Sequence, residues 1–354
     1  MPSFAERVPI PVQAATMRAL AALPAPVRRL IAGRPIELDG QTLALDAQLL
    51  LRINQFAGIT LTANDHEAAR TALNASAKIT ERRDRPPMQS RPVRIPARSG
   101  ELYSRLYIPN HVGKNAPLLV FYHGGGWVIG DVETHDDTVR FIAQQAGVRA
   151  LSVDYRLAPE HPFPAAVEDA IDTYDYVVAN AETLGADPAR IAVGGDSAGG
   201  NLAAVVAQQT KESGGHLPAF QLLIYPEVDF VNRRPSREFF GEGFFLTDAD
   251  MNWFERQYVP EGTDKSDPRL SPLLAKDLGG LPPAAVITAG FDPLRDNGEA
   301  YAHALREAGV PVTLQRHWDM IHGFVNFLGL SPRFREATLE IAGVLRAGLD
   351  LVQK

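Results

Sequence analysis

Apolar positions fall into two textures along the chain. Up to about residue 85 they recur at helical spacing: Leu20, Leu23, Val27, Leu30 and Ile31 form one series. Leu49, Leu50, Ile53 and Phe56, within Leu43 to Phe56, form a second. From about Pro92 short β-branched and aromatic runs alternate with helical stretches. Leu102 to Ile108 alternates like an antiparallel strand, and Leu118 to Tyr122 is apolar throughout, which suits a strand covered on both faces. Further runs occupy Ala150 to Val153, Ile191 to Val193, Leu222 to Tyr225, Ala285 to Thr288 and Val312 to Gln315. Helical patterns separate most of them, at Thr138 to Ala146, Ala165 to Ala179, Leu202 to Gln209, Glu299 to Ala308 and Arg335 to Leu351. This alternation predicts right-handed βαβ units, hence an α/β fold with a mostly parallel sheet and helices on both faces.

The alternation breaks once. Residues 226–281 are rich in aromatics, Gly and Pro, and they are too many for a bare loop in a compact domain. They are expected to form an inserted helical piece that joins the helices of residues 1–85 in a two-part cap, leaving 86–225 and 282–354 as the main α/β domain.

Composition narrows the classes. Of 354 residues 45% are hydrophobic and 22% charged, as in a globular protein. The net charge of −7, with both signs dispersed, argues against nucleic acid as a partner. The one dense basic cluster, Arg82, Arg83 and Arg85, includes Asp84 and runs into Pro86-Pro87, and reads as a solvated linker. The absence of cysteine excludes disulfides, thiolate metal sites and a cysteine nucleophile. No run reaches the ~18 apolar residues of a membrane span, and Arg7 is followed by Pro9 and Pro11, which break a signal-like core. The expectation is a cytoplasmic protein. A membrane-surface helix over Ala14 to Ile31 would need a more basic polar face.

Gly195-Asp196-Ser197-Ala198-Gly199 matches G-x-S-x-G, with a strand entering at Ile191 to Val193 and a helix leaving from Asn201. Such a strand–turn–helix lifts a serine hydroxyl above a sheet as a nucleophile. His123-Gly124-Gly125-Gly126 follows the apolar run ending at Tyr122 and has the form of an oxyanion-binding loop. The expected donors are the backbone N–H groups of Gly124, Gly125 and Ala198, each typically worth ~3–4 kcal/mol in the transition state. His123 reads as structural. A phosphate loop would need Gly-Lys-Ser/Thr or G-x-G-x-x-G, and neither follows. Of nine histidines, His303, His317 and His322 lie late enough to serve Ser197 as base. His303 falls inside a helix and His317 at a strand end, whereas His322 lies in a loop beyond the strand, so His322 is favoured. Asp292 directly follows a strand and is preferred over Asp296 as the acid, although Asp-Pro also commonly caps a helix.

With these motifs, and with Tyr155 to Glu160, Pro162 to Ala166, Asp292 to Asp296 and His322-Gly323-Phe324, the chain resembles the hormone-sensitive-lipase-like carboxylesterases of the α/β-hydrolase superfamily. The resemblance implies an eight-stranded sheet, a helical cap, no metal or organic cofactor, short-to-medium acyl esters as small-molecule substrates, and a homodimer. The reaction it implies is acyl transfer through Ser197, His322 and Asp292. An amidase or lactonase on the same scaffold is the alternative, with a non-catalytic binding homologue behind it. Trp127, Phe244, Phe245 and Leu246 are the expected apolar pocket walls.

Overall fold

A computed structural model describes residues 8–62 and 65–351; Arg7 of the signal argument lies outside them. The helical periodicity of the N-terminal region yields α1 (Ile10–Ala21), α2 (Ala25–Ala32), α3 (Leu45–Ala57) and α4 (His66–Thr80). Pro24 divides the first apolar series into α1 and α2, because a proline interior to a helix lacks the N–H and clashes with the preceding turn. A small hairpin, β1 (Glu37–Leu38) and β2 (Gln41–Thr42), sits where the sequence reads as helical.

The chain then runs β3 (Met88–Ala97), β4 (Gly100–Pro109), β5 (Ala116–Tyr122), α5 (Asp136–Ala146), β6 (Arg149–Val153), α6 (Ala165–Ala179), β7 (Ala186–Asp196), α7 (Ala198–Ser213) and β8 (Phe220–Ile224). The insert contributes α8 (Pro235–Phe240) and α9 (Asp248–Tyr258), the latter opened by a capping box between Thr247 and Asp250. β9 (Ala284–Phe291), α10 (Arg295–Glu307), β10 (Val312–Ile321) and α11 (Pro332–Leu351) complete the chain.

The eight-stranded sheet has the order β10-β9-β8-β7-β5-β6-β4-β3; β3–β4 and β4–β6 pair antiparallel and the other pairs are parallel. Alternate residues of β5 serve opposite faces. Leu118, Val120 and Tyr122 join the core beneath α6, α7 and α10, and Leu119 and Phe121 the core beneath α5 and α11. That two-sided burial is why the run reads as apolar without interruption.

Three features depart from the sequence reading. β3 escapes notice because only Val93 and Ile95 along it are buried. β10 continues six residues past Gln315 through a mixed polar and apolar stretch, so His317 lies inside the strand and His322 directly follows it. In the Arg82–Arg85 cluster, Arg83, Asp84 and Arg85 are exposed as a solvated linker would be, and Arg82 departs from that reading. Arg82 is buried, with its guanidinium on Asp137 (2.8 Å) and stacked over Phe141, and Arg85 reaches Asp136.

Candidate active site

Ser197 occupies the single position between β7 and α7. Its φ of 57° and ψ of −119° place a non-glycine residue in a sparsely populated region, strain that the surrounding turn sustains. The flanking glycines are sterically required: a Cβ on Gly195 or on Gly199 would strike the carbonyl oxygen of Tyr122. The Ser197 N–H donates to the Ile224 carbonyl (2.8 Å), which ties the turn to the end of β8.

His322 Nε2 lies 3.0 Å from Ser197 Oγ, and His322 Nδ1 lies 2.8 Å from Asp292 Oδ2. A carboxylate accepts, so Nδ1 carries the proton and Nε2 is left to accept from the serine hydroxyl. Asp292 is fully buried, and its other oxygen takes the Leu294 N–H (2.8 Å). One carboxylate therefore both closes a turn after β9 and holds the imidazole, whereas the N-cap suggested by Asp-Pro is not formed, since α10 is capped at Leu294 with no side-chain bond. The rival residues sit elsewhere. His303 is exposed on α10. His317 is buried against Phe324, and burial, with Arg333 nearby, pushes it down to about 4. Asp296 takes the Ser236 N–H (2.8 Å) and anchors α8.

The glycine loop requires one correction. The Gly124 N–H, expected to face an oxyanion, donates instead to Asp196 Oδ1 (2.9 Å). The backbone turns after it, with φ of 119° at Gly125 and 58° at Gly126. The N–H groups of Gly125, Gly126 and Ala198 have no acceptor among the described residues. Ala198 opens α7, where the first N–H groups lack intrahelical partners. Asp196, a buried acceptor just before Ser197, is what takes the Gly124 N–H. Burial alone would raise its pKa. His135 (Nε2 at 3.4 Å) and the Gly124 N–H outweigh this and hold it below the usual carboxylate range. His123 is structural, as expected: its Nδ1 meets the Gly124 carbonyl (2.8 Å) and its ring stacks on Tyr155. Burial, with His135 beside it, pushes His123 down to about 4, so the ring is neutral.

Ser197 and His322 open into a cavity walled in part by Trp127, Phe245 and Leu246. Phe244 does not reach it; the ring packs on Phe240 and Phe291 in the core below. Leu61, Leu73 and Thr80 on the N-terminal side, and Met251 and Phe254 on the insert, line the same cavity. The two segments meet where Thr62 Oγ1 donates to Asp250 (2.6 Å). Sequence reasoning missed Glu227, also on the wall, whose only signal is an acidic residue just beyond the apolar run of β8. Burial pushes Glu227 up to about 8. No group of three or more His, Asp or Glu among the described residues could hold a metal ion.

Residues 119–326 match a protein family described as alpha/beta hydrolase fold. The chain belongs to the α/β-hydrolase family. This hydrolase is 44% identical over 339 residues to Carboxylic ester hydrolase LipN of Mycobacterium tuberculosis, covering 93% of this chain and 90% of that one. It is 37% identical to Ethyl acetate hydrolase of Pseudomonas putida, covering 80% and 90%. Among solved structures, the hydrolase is similar to a hyperthermophilic esterase from the archaeon Pyrobaculum calidifontis, with a TM-score of 0.80, 42% identity and 84% and 97% of the two chains covered. Ester-hydrolase EH1AB1 from the metagenome of Lake Arreo, complexed with a bipyridine phosphonate derivative, gives 0.82, 43%, 86% and 98%. These relatives agree with the hormone-sensitive-lipase-like resemblance of the motifs. None of the hydrolase's described helices is long and apolar enough to cross a membrane.

Proposed function

We propose that this hydrolase is a serine carboxylesterase acting on short-to-medium acyl esters through an acyl-enzyme. The observation that carries the reading is the unbroken line from Asp292 Oδ2 to His322 (2.8 Å) and from His322 to Ser197 Oγ (3.0 Å), opening on an apolar cavity. His322 takes the Ser197 proton as the hydroxyl attacks the acyl carbon, and returns it to the departing alcohol. The oxyanion rests on the N–H groups of Gly125, Gly126 and Ala198. Asp292 orients the ring and stabilises the imidazolium. The N-terminal helices and the 226–281 insert act as a two-part cap, a reading supported by the residues both contribute to the cavity wall. The family's habit and the sequence favour a homodimer working in the cytoplasm, testable by light scattering and cell fractionation.

The test is turnover of p-nitrophenyl esters of graded acyl length, beside the matching anilides and lactones. Ser197→Ala is expected to lower kcat by ~10⁶-fold and Asp292→Asn by ~10⁴-fold. Near wild-type turnover in Ser197→Ala, or an organophosphate adduct on any other residue, refutes the assignment. Anilide or lactone turnover exceeding ester turnover would move the function to the amidase or lactonase alternative.

A further inference from the structure

The ionisable groups lining the cavity are paired, with one exception. His322 pairs with Asp292, and Asp196 with His135. Asp229 takes Arg234 (3.0 Å) and the N–H groups of Val231 and Asn232. Arg237 is held by Asp248 and Glu255 by Lys265. Glu227 has no cation. Its Oε1 accepts from Asn297 Nδ2 (3.0 Å) and, at 3.4 Å, from the Asp229 N–H, while Oε2 has no partner among the described residues.

The segment is also rigid. Asn201 donates to the Glu227 carbonyl (2.8 Å), and Asn297 accepts the Val228 N–H (2.8 Å) while donating to the Asp229 carbonyl. A half-buried acid on the cavity wall, with one oxygen held and the other free, is preorganised for a ligand.

We propose that Glu227 is a specificity residue whose Oε2 donates a hydrogen bond to an oxygen substituent on the ester, such as a hydroxyl, an alkoxy group or a second carbonyl. The proposal rests on the Ser197 carboxylesterase reading. Because Oε1 already accepts two N–H groups, the proton of the neutral acid belongs on Oε2. Three charged groups face this carboxyl: Asp229 from its own loop, Arg237 from α8 and Glu255 from α9. The two acids reinforce burial in keeping the proton on, and Arg237 opposes them. A neutral acid offers a donor to oxygen, whereas an ammonium substituent would call for the carboxylate.

The test compares esters that differ by one oxygen in place of a methylene. p-Nitrophenyl methoxyacetate against butyrate probes the acid arm, and 2-methoxyethyl against butyl acetate probes the alcohol arm. The readout is the ratio of kcat/KM, oxygenated over apolar, normalised to alkaline hydrolysis. Changes in His322 protonation cancel in that ratio. Glu227→Leu is expected to lower it about tenfold in one arm, the loss of one hydrogen bond to a neutral partner, and the affected arm locates the subsite. Glu227→Gln retains a donor and should keep the ratio within about threefold. The wild-type ratio should fall as pH rises through about 8, while that of Glu227→Gln stays level. A ratio unchanged by Glu227→Leu in both arms overturns the proposal, as does a wild-type ratio flat across pH 8. Should Glu227→Leu fail to fold, the two pH profiles decide. A preference for the permanently cationic acetylcholine that emerges above pH 8 would also overturn it, by making Glu227 a cation site. Wild-type turnover that does not need Ser197 defeats the carboxylesterase reading itself, whereas Ser197-dependent turnover with an unchanged ratio defeats only the role of Glu227.

Discussion

Gly126→Ala tests the proposed oxyanion donors most directly. The φ of 58° at Gly126 is a conformation that an alanine adopts at ~1 kcal/mol or more. The added methyl would also lie inside the Phe254 ring, on α9. Both effects displace the loop. A donor displaced from an oxyanion is lost, and one such donor carries ~10²–10³-fold in kcat. The expected result is therefore a drop in kcat of about 10²-fold with little change in KM, read on p-nitrophenyl butyrate. Active-site titration with an organophosphate would count intact serines and separate lost chemistry from lost protein. The two causes can be divided. Gly126→Ala with Phe254→Ala removes the clash but not the backbone strain, so it should recover about tenfold and no more. A Gly126→Ala enzyme within threefold of wild type would show that this N–H does not face the developing charge.

Further expectations concern stability and pocket shape. His123 and His317, both pushed down to about 4, remain neutral in the fold down to that pH, while the unfolded chain protonates them near pH ~6.5. Between those values the unfolded state binds more protons, so stability falls on acidification through that window, by up to ~1.4 kcal/mol per pH unit for each ring. Urea melts at pH 7 and pH 4.5 should show it, His317→Phe should reduce the slope, and a pH-independent midpoint would contradict the burial argument. Phe244→Ala should destabilise by ~3 kcal/mol or more without altering acyl-length preference. Phe245→Ala should alter that preference, since Phe245, unlike Phe244, lines the cavity; calorimetry and a chain-length series distinguish the two, and the reverse pattern would refute the placement. Arg82→Ala strands a partly buried Asp137 and should cost about 3 kcal/mol in a urea titration; a change below ~1 kcal/mol would return Arg82 to a solvated role.

Local chemistry was legible in the sequence wherever one short segment carries its own steric reason. The turn around Ser197 needs Gly195 because a Cβ there would strike the backbone of Gly199, four residues on, and β5 announces itself because both of its faces are buried. The choice of His322 and Asp292 followed from chain order and strand ends, and in the fold His322 meets Ser197 while Asp292 meets His322. The tertiary structure decided what depends on distant partners. Gly124 is an apparent donor until Asp196, 72 residues later, claims its N–H. Phe244 and Phe245 are indistinguishable as letters, and only the backbone between α8 and α9 sends one to the core and the other to the cavity. Arg82 reads as solvated until α5 brings Asp137 to it. Glu227 is an ordinary acid in sequence and an unpaired one in the cavity. Steric demands on the backbone act between neighbours and so leave a mark in sequence. Hydrogen-bond and charge pairing act across space between residues far apart in the chain, and only the folded chain assigns those partners.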